Sequence, residues 1–392
     1  MARTSRSAFV FLLALAFLGT LPATAQTSCI FGAQPAATLL LPYFEVDLAH
    51  LDGPGTLMAV GNRSSEAALA RVTVWSDWAI PVLGFDILLP PEAVQTMNLR
   101  DVLLRGNLPV TGEGGVAFEG CTSPLTNPVL DDEALAHLAD QLTGRPDATD
   151  GLCSSSDRGP TSLAVGFITV DVVTRCTEMP LHPNEAGYFA SDGTGLAGYE
   201  NILYGDFSLI DPSQDLAQGG ELVSLPAIDP QVFTDTFVRS FYSPYTLDSA
   251  ADARAPLGSR WQTRYLNGGA FDGGTDLLLW VQPSFVIEPQ DCSFNPTQFY
   301  FWGYTDRSED GKVQAFQSYF PTAFTARAHV GGPEFPTMAD AGLLEVEAIE
   351  LVCGVCLPAP EPRQSWLFPT LSASGRFSVG LNAVRLNDFC DR

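Results

Sequence analysis

Short apolar runs separated by polar turns make up most of the chain. "TLMAVGN", "ARVTVWSDW" and "VLGFDILL" are rich in β-branched and aromatic residues, and "RSSEAA" and "PPEA" stand beside them as turns. Runs of this length, bounded by Gly, Pro and Ser, are typical of strands. Strands do not alternate with helices along the chain. The pattern therefore predicts an all-β fold, mainly antiparallel, of the sandwich or barrel type.

One segment has helical periodicity. "DDEALAHLADQLTG" opens with acidic residues, which suit the positive end of a helix dipole, and it ends at Gly144, a candidate C-cap. Leu135, Leu138 and Leu142 fall on one face of such a helix. The sequence thus predicts one short helix in an otherwise β-rich chain.

Similar runs recur in the two halves of the chain. "TSLAVGFITVDVV" in the first half is similar to "AGLLEVEAIELV" in the second. Two tandem β-sandwich domains account for this repetition, one at 36–176 and one at 222–356. The Gly-rich, polar segment between them predicts long connecting loops over 177–221. Residues 357–392 then form a C-terminal extension.

The N-terminus has the features of a signal peptide. Arg3 and Arg6 precede the apolar run "AFVFLLALAFLGTL", and the small residues of "ATA" come directly before Gln26. The apolar run is shorter than the ~20 residues that a membrane-spanning helix needs. We expect residues 1–25 to be removed, the protein to be exported to the periplasm or the cell exterior, and no transmembrane segment to remain.

The cysteine count fits an exported protein. An even number of cysteines in such a chain predicts disulfides, although it leaves their connectivity open. Cys121 and Cys153 flank a polar insert and are candidates for one bridge, and Cys390 is placed to hold the C-terminal tail. "CGVC" follows a predicted strand, where two half-cystines are favoured over a redox motif. The disulfide candidates are Cys29, Cys121, Cys153, Cys176, Cys292, Cys353, Cys356 and Cys390.

The charge balance excludes some partners. The chain has 45 Asp+Glu against 20 Lys+Arg, for a formal net charge of −25. A surface of this sign repels nucleic acid phosphates and anionic lipid headgroups, so we expect no nucleic acid partner. Hydrophobic residues make up 46% of the chain, which is ample for a core and excludes global disorder.

Motifs of common catalytic sites are absent from the sequence. There is no Gly-x-Ser-x-Gly, His-Glu-x-x-His or Ser-x-x-Lys, and no nucleotide-binding fingerprint. None of the four histidines lies in a recognisable catalytic frame; they are His50, His137, His182 and His329. Carboxylates are abundant, but spacing in sequence does not give the carboxyl separation that a glycosidase needs. The sequence therefore indicates a non-enzymatic role and leaves glycoside hydrolysis open.

The stretch Asn267–Trp280, "NGGAFDGGTDLLLW", is the nearest approach to a functional motif. Asp272 and Asp276 within it are candidate calcium ligands, because calcium takes oxygen ligands in flexible geometry. The calcium-binding nonapeptide needs consecutive repeats, and this is one imperfect copy. The alternative is a loop that enters the strand "DLLLW", with glycines at positive φ.

Aromatic residues are concentrated in "FYFWGY". Exposed aromatics on a sandwich can stack on sugar rings, which suggests carbohydrate or a cell-surface partner. Alternate residues of a strand point to opposite faces, so at most half of the patch can face solvent. Core packing is the competing interpretation.

Five longer blocks support an assignment by resemblance. They are "ATLLLPYFEVDL", "RVTVWSDWAIPVLGFDILL", "TMNLRDVLLRGNLP", "ENILYGDFSLIDPSQDLAQG" and "RYLNGGAFDGGTDLLLW". These blocks resemble a group of uncharacterised exported bacterial proteins, over most of the chain beyond the leader. The resemblance implies export from a bacterium and a β-rich fold, and it implies no catalytic residue.

These observations together predict a secreted, acidic, disulfide-bearing tandem β-sandwich. Its expected role is structural, adhesive or ligand-binding. The alternative is an exported polysaccharide hydrolase that uses a carboxylate pair which the sequence does not identify.

Overall fold

The structure is a computed structural model, which describes the larger part of the chain. The described residues are 34–118, 120–145, 154, 161–177, 181–189, 194–228, 240–246, 252–283, 300–308, 311–318, 323–350 and 361–386. The predicted signal peptide, residues 1–25, lies outside them.

Antiparallel sheets dominate this part of the chain, with 51% strand and 8% helix, which confirms the predicted all-β class. The strands are β1 (Thr38–Asp47), β2 (Gly55–Asn62), β3 (Ala68–Ser76), β4 (Pro81–Leu89), β5 (Val94–Asn98), β6 (Val110–Thr111), β7 (Leu125–Thr126), β8 (Leu163–Val173), β9 (Leu203–Asp211), β10 (Leu216–Glu221), β11 (Val223–Leu225), β12 (Arg260–Leu266), β13 (Gly274–Val281), β14 (Tyr300–Ser308), β15 (Val313–Ser318), β16 (Thr325–His329), β17 (Ala341–Glu350), β18 (Glu361–Pro362), β19 (Ser365–Ala373), β20 (Phe377–Gly380) and β21 (Val384–Arg385). The helical elements are α1 (Leu99–Arg105), α2 (Asp132–Thr143) and a 3₁₀ turn (Pro212–Gln214).

A five-stranded sheet, in the order β11-β1-β8-β3-β4, lies in the interior and has both faces covered. One face contributes Leu39 and Ile168 to a buried cluster that also contains Val60 of the four-stranded sheet β10-β9-β2-β5. The opposite face carries Trp75 and Phe167, which belong to a second buried cluster. Because successive side chains point to opposite faces, a strand covered on both sides is buried along nearly its whole length, as β1 and β3 are.

Two further sheets contain the C-terminal half. One has the order β15-β14-β17-β12-β21, with β18 paired to β17, and the other has the order β16-β13-β19-β20. Trp280 and Trp302 lie in the cluster between them. The Trp280 ring is also 5.9 Å from the ring of Phe167 on the central sheet, edge to face. The second pair of sheets therefore packs against the central sheet.

The two clusters described above each draw side chains from both halves of the chain. Phe368 of β19 packs edge to face against Phe207 of β9 at 5.5 Å and belongs to the first-half cluster. Trp75 of β3 belongs to the second-half cluster. The division into tandem domains at 36–176 and 222–356 therefore stays a prediction.

Residues 177–221 differ from the predicted connecting loops. β9 and β10 lie in this range and pair with each other, and β9 pairs with β2 over its length. Leu203, Phe207 and Leu209 of β9 are buried, whereas most positions between them are polar or glycine. The low overall hydropathy of the segment conceals this alternation, which is typical of a strand with one face toward the core.

The C-terminal extension, 357–392, contributes a hairpin, because the consecutive strands β19 and β20 pair antiparallel. β19 lies between β13 and β20, in the interior of its sheet, and pairs with β13 from Ser365 to Ser372. Pro369 lies within β19, and a proline in a run argues against a central strand. The apolar residues around Pro369 nevertheless belong to the core, since Leu367 is buried.

The predicted helix is confirmed as α2. The Asp131 side chain caps it by accepting a hydrogen bond from Ala134 N at 2.9 Å, and Gly144 ends it with a φ of 74°. The sequence pattern did not predict α1, which begins where the Asn98 side chain accepts a hydrogen bond from Arg100 N. Neither described helix has the length and apolar character of a membrane span.

Cys121 and Cys176 lie in disulfide geometry, with their Cα atoms 5.4 Å apart. This pairing differs from the expected bridge between Cys121 and Cys153. Cys121 and Cys176 both pack against the buried cluster that contains Leu88 and Val173, and sequence spacing does not reveal such a neighbourhood. The other disulfide candidates lie outside the described residues; they are Cys29, Cys153, Cys292, Cys353, Cys356 and Cys390.

Candidate functional site

The stretch Asn267–Trp280 forms the turn between β12 and β13, followed by most of β13 itself. Gly268 has a φ of 106°, a conformation that residues with a Cβ rarely adopt. The Asn267 side chain holds the turn, accepting a hydrogen bond from Thr275 N at 2.9 Å and donating one to Val330 O at 2.8 Å. The interpretation as a turn that enters a strand is confirmed.

Asp272 and Asp276, the candidate calcium ligands, each contact basic side chains. Asp272 Oδ1 accepts hydrogen bonds of 3.0 Å from Arg376 Nη2 and Ser374 N, and the Arg376 hydrogen bond lowers the pKa of Asp272. Asp276 Oδ1 lies 2.8 Å from His329 Nδ1. No group of three or more His, Cys, Asp or Glu in the described chain is arranged to hold a metal ion. Calcium binding therefore stays a prediction without geometric support.

Asp276 also belongs to a charged chain of residues that joins the two halves. Arg327 of β16 donates a hydrogen bond to Glu45 Oε1 at 2.6 Å and one to Asp276 Oδ2 at 3.4 Å. Tyr43 Oη donates to Glu45 Oε2 at 2.7 Å. A glycosidase needs two carboxylates that face a sugar, whereas this pair shares one guanidinium. Glu45 and Asp276 therefore serve as partners of a cross-link between strands.

A row of buried polar side chains crosses the central sheet. Thr38, Asp171, Arg71 and Asp86 lie directly opposite one another on β1, β8, β3 and β4. Arg71 Nη2 donates to Asp86 Oδ2 at 3.0 Å, and Tyr188 Oη donates to Asp171 Oδ2 at 2.7 Å. All of these side chains are buried and have protein partners, so the row joins strands and is closed to a ligand.

The aromatic patch "FYFWGY" contributes to the core at two of its positions. Trp302 is 1% exposed and Tyr304 is 3% exposed, and both belong to the second-half cluster. These two rings therefore pack in the interior and do not face solvent, as the core interpretation predicts.

A cavity of about 520 Å³ opens where β12 and β14 end and β17 begins. We call it the arginine cavity, because Arg264 of β12 and Arg307 of β14 line it. Its apolar wall consists of Leu266, Phe271, Leu343, Leu371 and Leu381, and the remaining lining residues are Tyr265, Ser308, Ala341 and Gly342.

The strand register places the two arginines on either side of Leu343. Arg264 is opposite Leu343 in the β12–β17 ladder, and Arg307 is opposite the same residue in the β14–β17 ladder. Directly opposed residues of neighbouring strands point to the same face, so the three side chains form a row. Both arginines are exposed, and Leu343 is 42% exposed.

A buried hydrogen bond fixes the inner side of this cavity. Tyr265 Oη donates to Asp306 Oδ1 at 2.8 Å, and burial, followed by this contact, raises the pKa of Tyr265. The phenol therefore stays protonated at neutral pH. A Cβ at Gly342 would lie 2.5 Å from Arg307 O and 2.8 Å from Tyr265 Oη, so only glycine allows these strands to approach so closely.

The arginine cavity has the opposite charge to the chain as a whole. Its described lining contains two arginines and neither Asp nor Glu, although the protein has 45 acidic residues. Arg264 has no side-chain hydrogen bond or ion pair within the part of the chain that the structure describes. Arg307 Nη2 lies 3.9 Å from Glu345 Oε2. The cavity can therefore offer guanidinium donors to an anion and an apolar wall to the rest of a ligand.

The sequence pattern did not point to Arg264 or Arg307. It pointed to the adjacent stretch Asn267–Trp280, which supplies Phe271 to the cavity wall. The available signal was the scarcity of basic residues, since two of the 20 Lys+Arg lie at exposed positions of the two strands that flank β17. Their meeting across Leu343 depends on how β12 and β14 each pair with β17, and the local sequence pattern does not reveal which distant strands pair.

Comparison of the chain with protein family models, with curated proteins and with solved structures finds no match in any of the three. The geometry of the cavity therefore has to support the functional proposal by itself.

Proposed function

We propose that this protein is an exported ligand-binding protein whose arginine cavity takes a small molecule with an anionic group and an apolar body. The observation that carries the proposal is the placement of Arg264 and Arg307 on either side of Leu343, above an apolar wall. Two guanidinium groups can form charge-assisted hydrogen bonds to one carboxylate, sulfonate or phosphate. We retain export, predicted from residues 1–25, as part of this proposal.

The volume of the cavity supports a ligand of modest size. At about 520 Å³, it falls within the range of roughly 300–1,000 Å³ that small-molecule sites occupy. An anion with one or two aromatic rings, or with a medium-length acyl chain, matches both the volume and the lining. The apolar part contributes about 25 cal/mol for each Å² that it buries.

Two related fluorescent probes test the role of the arginines. 1-Anilinonaphthalene-8-sulfonate carries an anion on an aromatic body, whereas N-phenyl-1-naphthylamine has the same rings and no charge. We expect the double variant R264Q/R307Q to bind the sulfonate at least about tenfold more weakly than the wild type, because it loses two charge-assisted hydrogen bonds. We expect its affinity for the uncharged probe to stay the same.

Two further variants control this titration. Arg105→Gln removes an exposed arginine that does not line the cavity, and we expect it to bind the sulfonate as the wild type does. Leu343→Ser should weaken both probes, because it removes apolar surface. An unchanged sulfonate affinity in R264Q/R307Q, or an equal loss of both probes, would refute the proposal.

A further inference from the structure

A second cavity of about 520 Å³ lies on the exposed face of the same sheet. We call it the polar cavity, because five polar side chains line it, those of Arg260, Thr305, Gln317, Glu345 and Glu347. It shares no lining residue with the arginine cavity. An inference about it therefore does not rest on the function proposed for that site.

The sheet register creates the depression. Gly303 of β14 lies directly between Glu347 of β17 and Gln317 of β15. Gly303 has no side chain, and Ala315, further along β15, has only a methyl group. Residues directly opposed on neighbouring strands share one face of the sheet. The longer side chains of Glu347 and Gln317 therefore surround a shallow well at Gly303.

Several polar side chains of this well form no side-chain hydrogen bond within the described part of the chain. Thr305, Gln317 and Glu347 have no side-chain hydrogen bond among the described residues, whereas Arg260 forms an ion pair with Glu345. Glu347 is half-buried, and burial raises its pKa, with Arg260 opposing that shift. Its carboxyl group can therefore donate a hydrogen bond over a wider pH range than an exposed glutamate can.

We propose that the polar cavity binds a neutral saccharide. Sugar hydroxyls need donors and acceptors side by side, and the lining offers guanidinium, amide, hydroxyl and carboxyl groups within one well. Arg260 forms an ion pair with Glu345, and Glu347 is a further carboxyl group of the lining, so the well has no excess of positive charge that would favour an anion. This difference distinguishes it from the arginine cavity.

Ile349 offers apolar surface to the C–H groups of a sugar ring. It lines the well and is two residues beyond Glu347 in β17, so both side chains share one face. The Phe316 ring points to the other face, where it stacks on the buried ring of Tyr304 with centroids 5.1 Å apart.

Two tryptophan variants of the same strand test the site. Ala315→Trp places a bulky ring in the well from an exposed position. Gln314→Trp adds the same ring at the next residue of β15, which points to the other face. The probes are four neutral oligosaccharides, namely cellohexaose, xylohexaose, maltohexaose and chitohexaose, titrated by calorimetry.

We expect at least one of the four oligosaccharides to bind the wild type and Q314W equally, and to bind A315W at least tenfold more weakly. Glu347→Ala should also weaken binding, because it removes a carboxyl group from the rim. The proposal is overturned if none of the four binds the wild type, or if A315W binds as tightly as Q314W. 1-Anilinonaphthalene-8-sulfonate should bind A315W normally, so failure here is separate from failure at the arginine cavity.

Discussion

Arg327 and Glu45 join strands that are 282 residues apart in the sequence, through a hydrogen bond of 2.6 Å from Arg327 Nη2 to Glu45 Oε1. The side chains of Arg327 and Glu45 are 22% and 9% exposed, respectively. Nearby, Thr325 Oγ1 of β16 donates a hydrogen bond to Pro42 O of β1. The C-terminal half is therefore attached to the central sheet by directional polar contacts as well as by apolar packing.

Loss of the Arg327 charge should destabilise the protein. Arg327→Met keeps the apolar stem but leaves Glu45 and Asp276 without their shared donor, and we expect a loss of about 2 kcal/mol in the free energy of unfolding. Urea denaturation at pH 7 measures it. Arg105→Met removes an exposed ion pair with Asp101 on α1 and should cost less than about 0.5 kcal/mol. Equal costs for the two variants would show that the buried cross-link adds nothing.

Asp276 should make part of the stability dependent on pH through His329. The hydrogen bond from His329 to Asp276 raises the pKa of His329 above its ordinary value of 6.5. The folded protein therefore holds this proton more tightly than the unfolded chain does. The resulting stabilisation is complete below the ordinary pKa and is lost as the pH rises through the raised pKa.

Two measurements check this dependence. The difference in unfolding free energy between wild type and His329→Gln should shrink as the pH rises from about 6 to about 9. An NMR titration of His329 should show a lower midpoint in Asp276→Asn than in the wild type. A midpoint that does not move would mean that Asp276 does not bind the protonated imidazole.

Removal of the Tyr265 hydroxyl should leave a buried carboxylate short of one donor. Asp306 is fully buried, so Tyr265→Phe is expected to cost about 1–3 kcal/mol of unfolding free energy. Tyr204 is 40% exposed, so Tyr204→Phe should have little effect on the free energy of unfolding. Thermal and urea unfolding of both variants make the comparison. A cost no larger than that of Tyr204→Phe would contradict the Tyr265–Asp306 contact.

The bridge between Cys121 and Cys176 should contribute to stability. Because it closes a loop with a sequence separation of 55, we expect the double variant C121S/C176S to lose about 2–4 kcal/mol. Peptide mapping under non-reducing conditions should recover the Cys121 peptide bonded to the Cys176 peptide. A Cys121–Cys153 peptide would instead support the pairing expected from sequence spacing.

Calcium should not alter the melting temperature through Asp272 or Asp276. A metal ion there would have to displace Arg376 from Asp272, and Arg327 and His329 from Asp276. We therefore expect equal melting temperatures in calcium and in a chelator. A calcium-dependent increase that disappears in D272N/D276N would establish the site that the glycine-rich stretch suggests.

Local pattern was sufficient to predict the fold class and the turn at Asn267. The β3 and β8 runs and the capped helix α2 each satisfy a short-range rule, and the structure contains all three. The sequence pattern did not predict β9 or β19. Glycine and polar residues interrupt the apolar pattern of β9, and Pro369 interrupts that of β19. Both strands form because they bury side chains against sheets that are distant in sequence.

The candidate sites could not be predicted in this way. Arg264 and Arg307 are 43 residues apart in numbering, and they meet because each pairs with Leu343. Similarly, Gly303 opens the polar cavity only because it lies opposite Glu347 and Gln317. Register sets both arrangements, and register depends on the whole packed sheet.

The burial of the central sheet on both faces has a consequence for how the protein unfolds. If the C-terminal half separated from the central sheet, Leu40, Trp75 and Phe167 would become exposed to solvent. They would form a broad apolar surface that is prone to aggregation. Neither half can melt alone without that exposure. Heating should therefore produce one cooperative calorimetric peak rather than two. Below the melting temperature few molecules should be partly unfolded, so proteolysis should be slow.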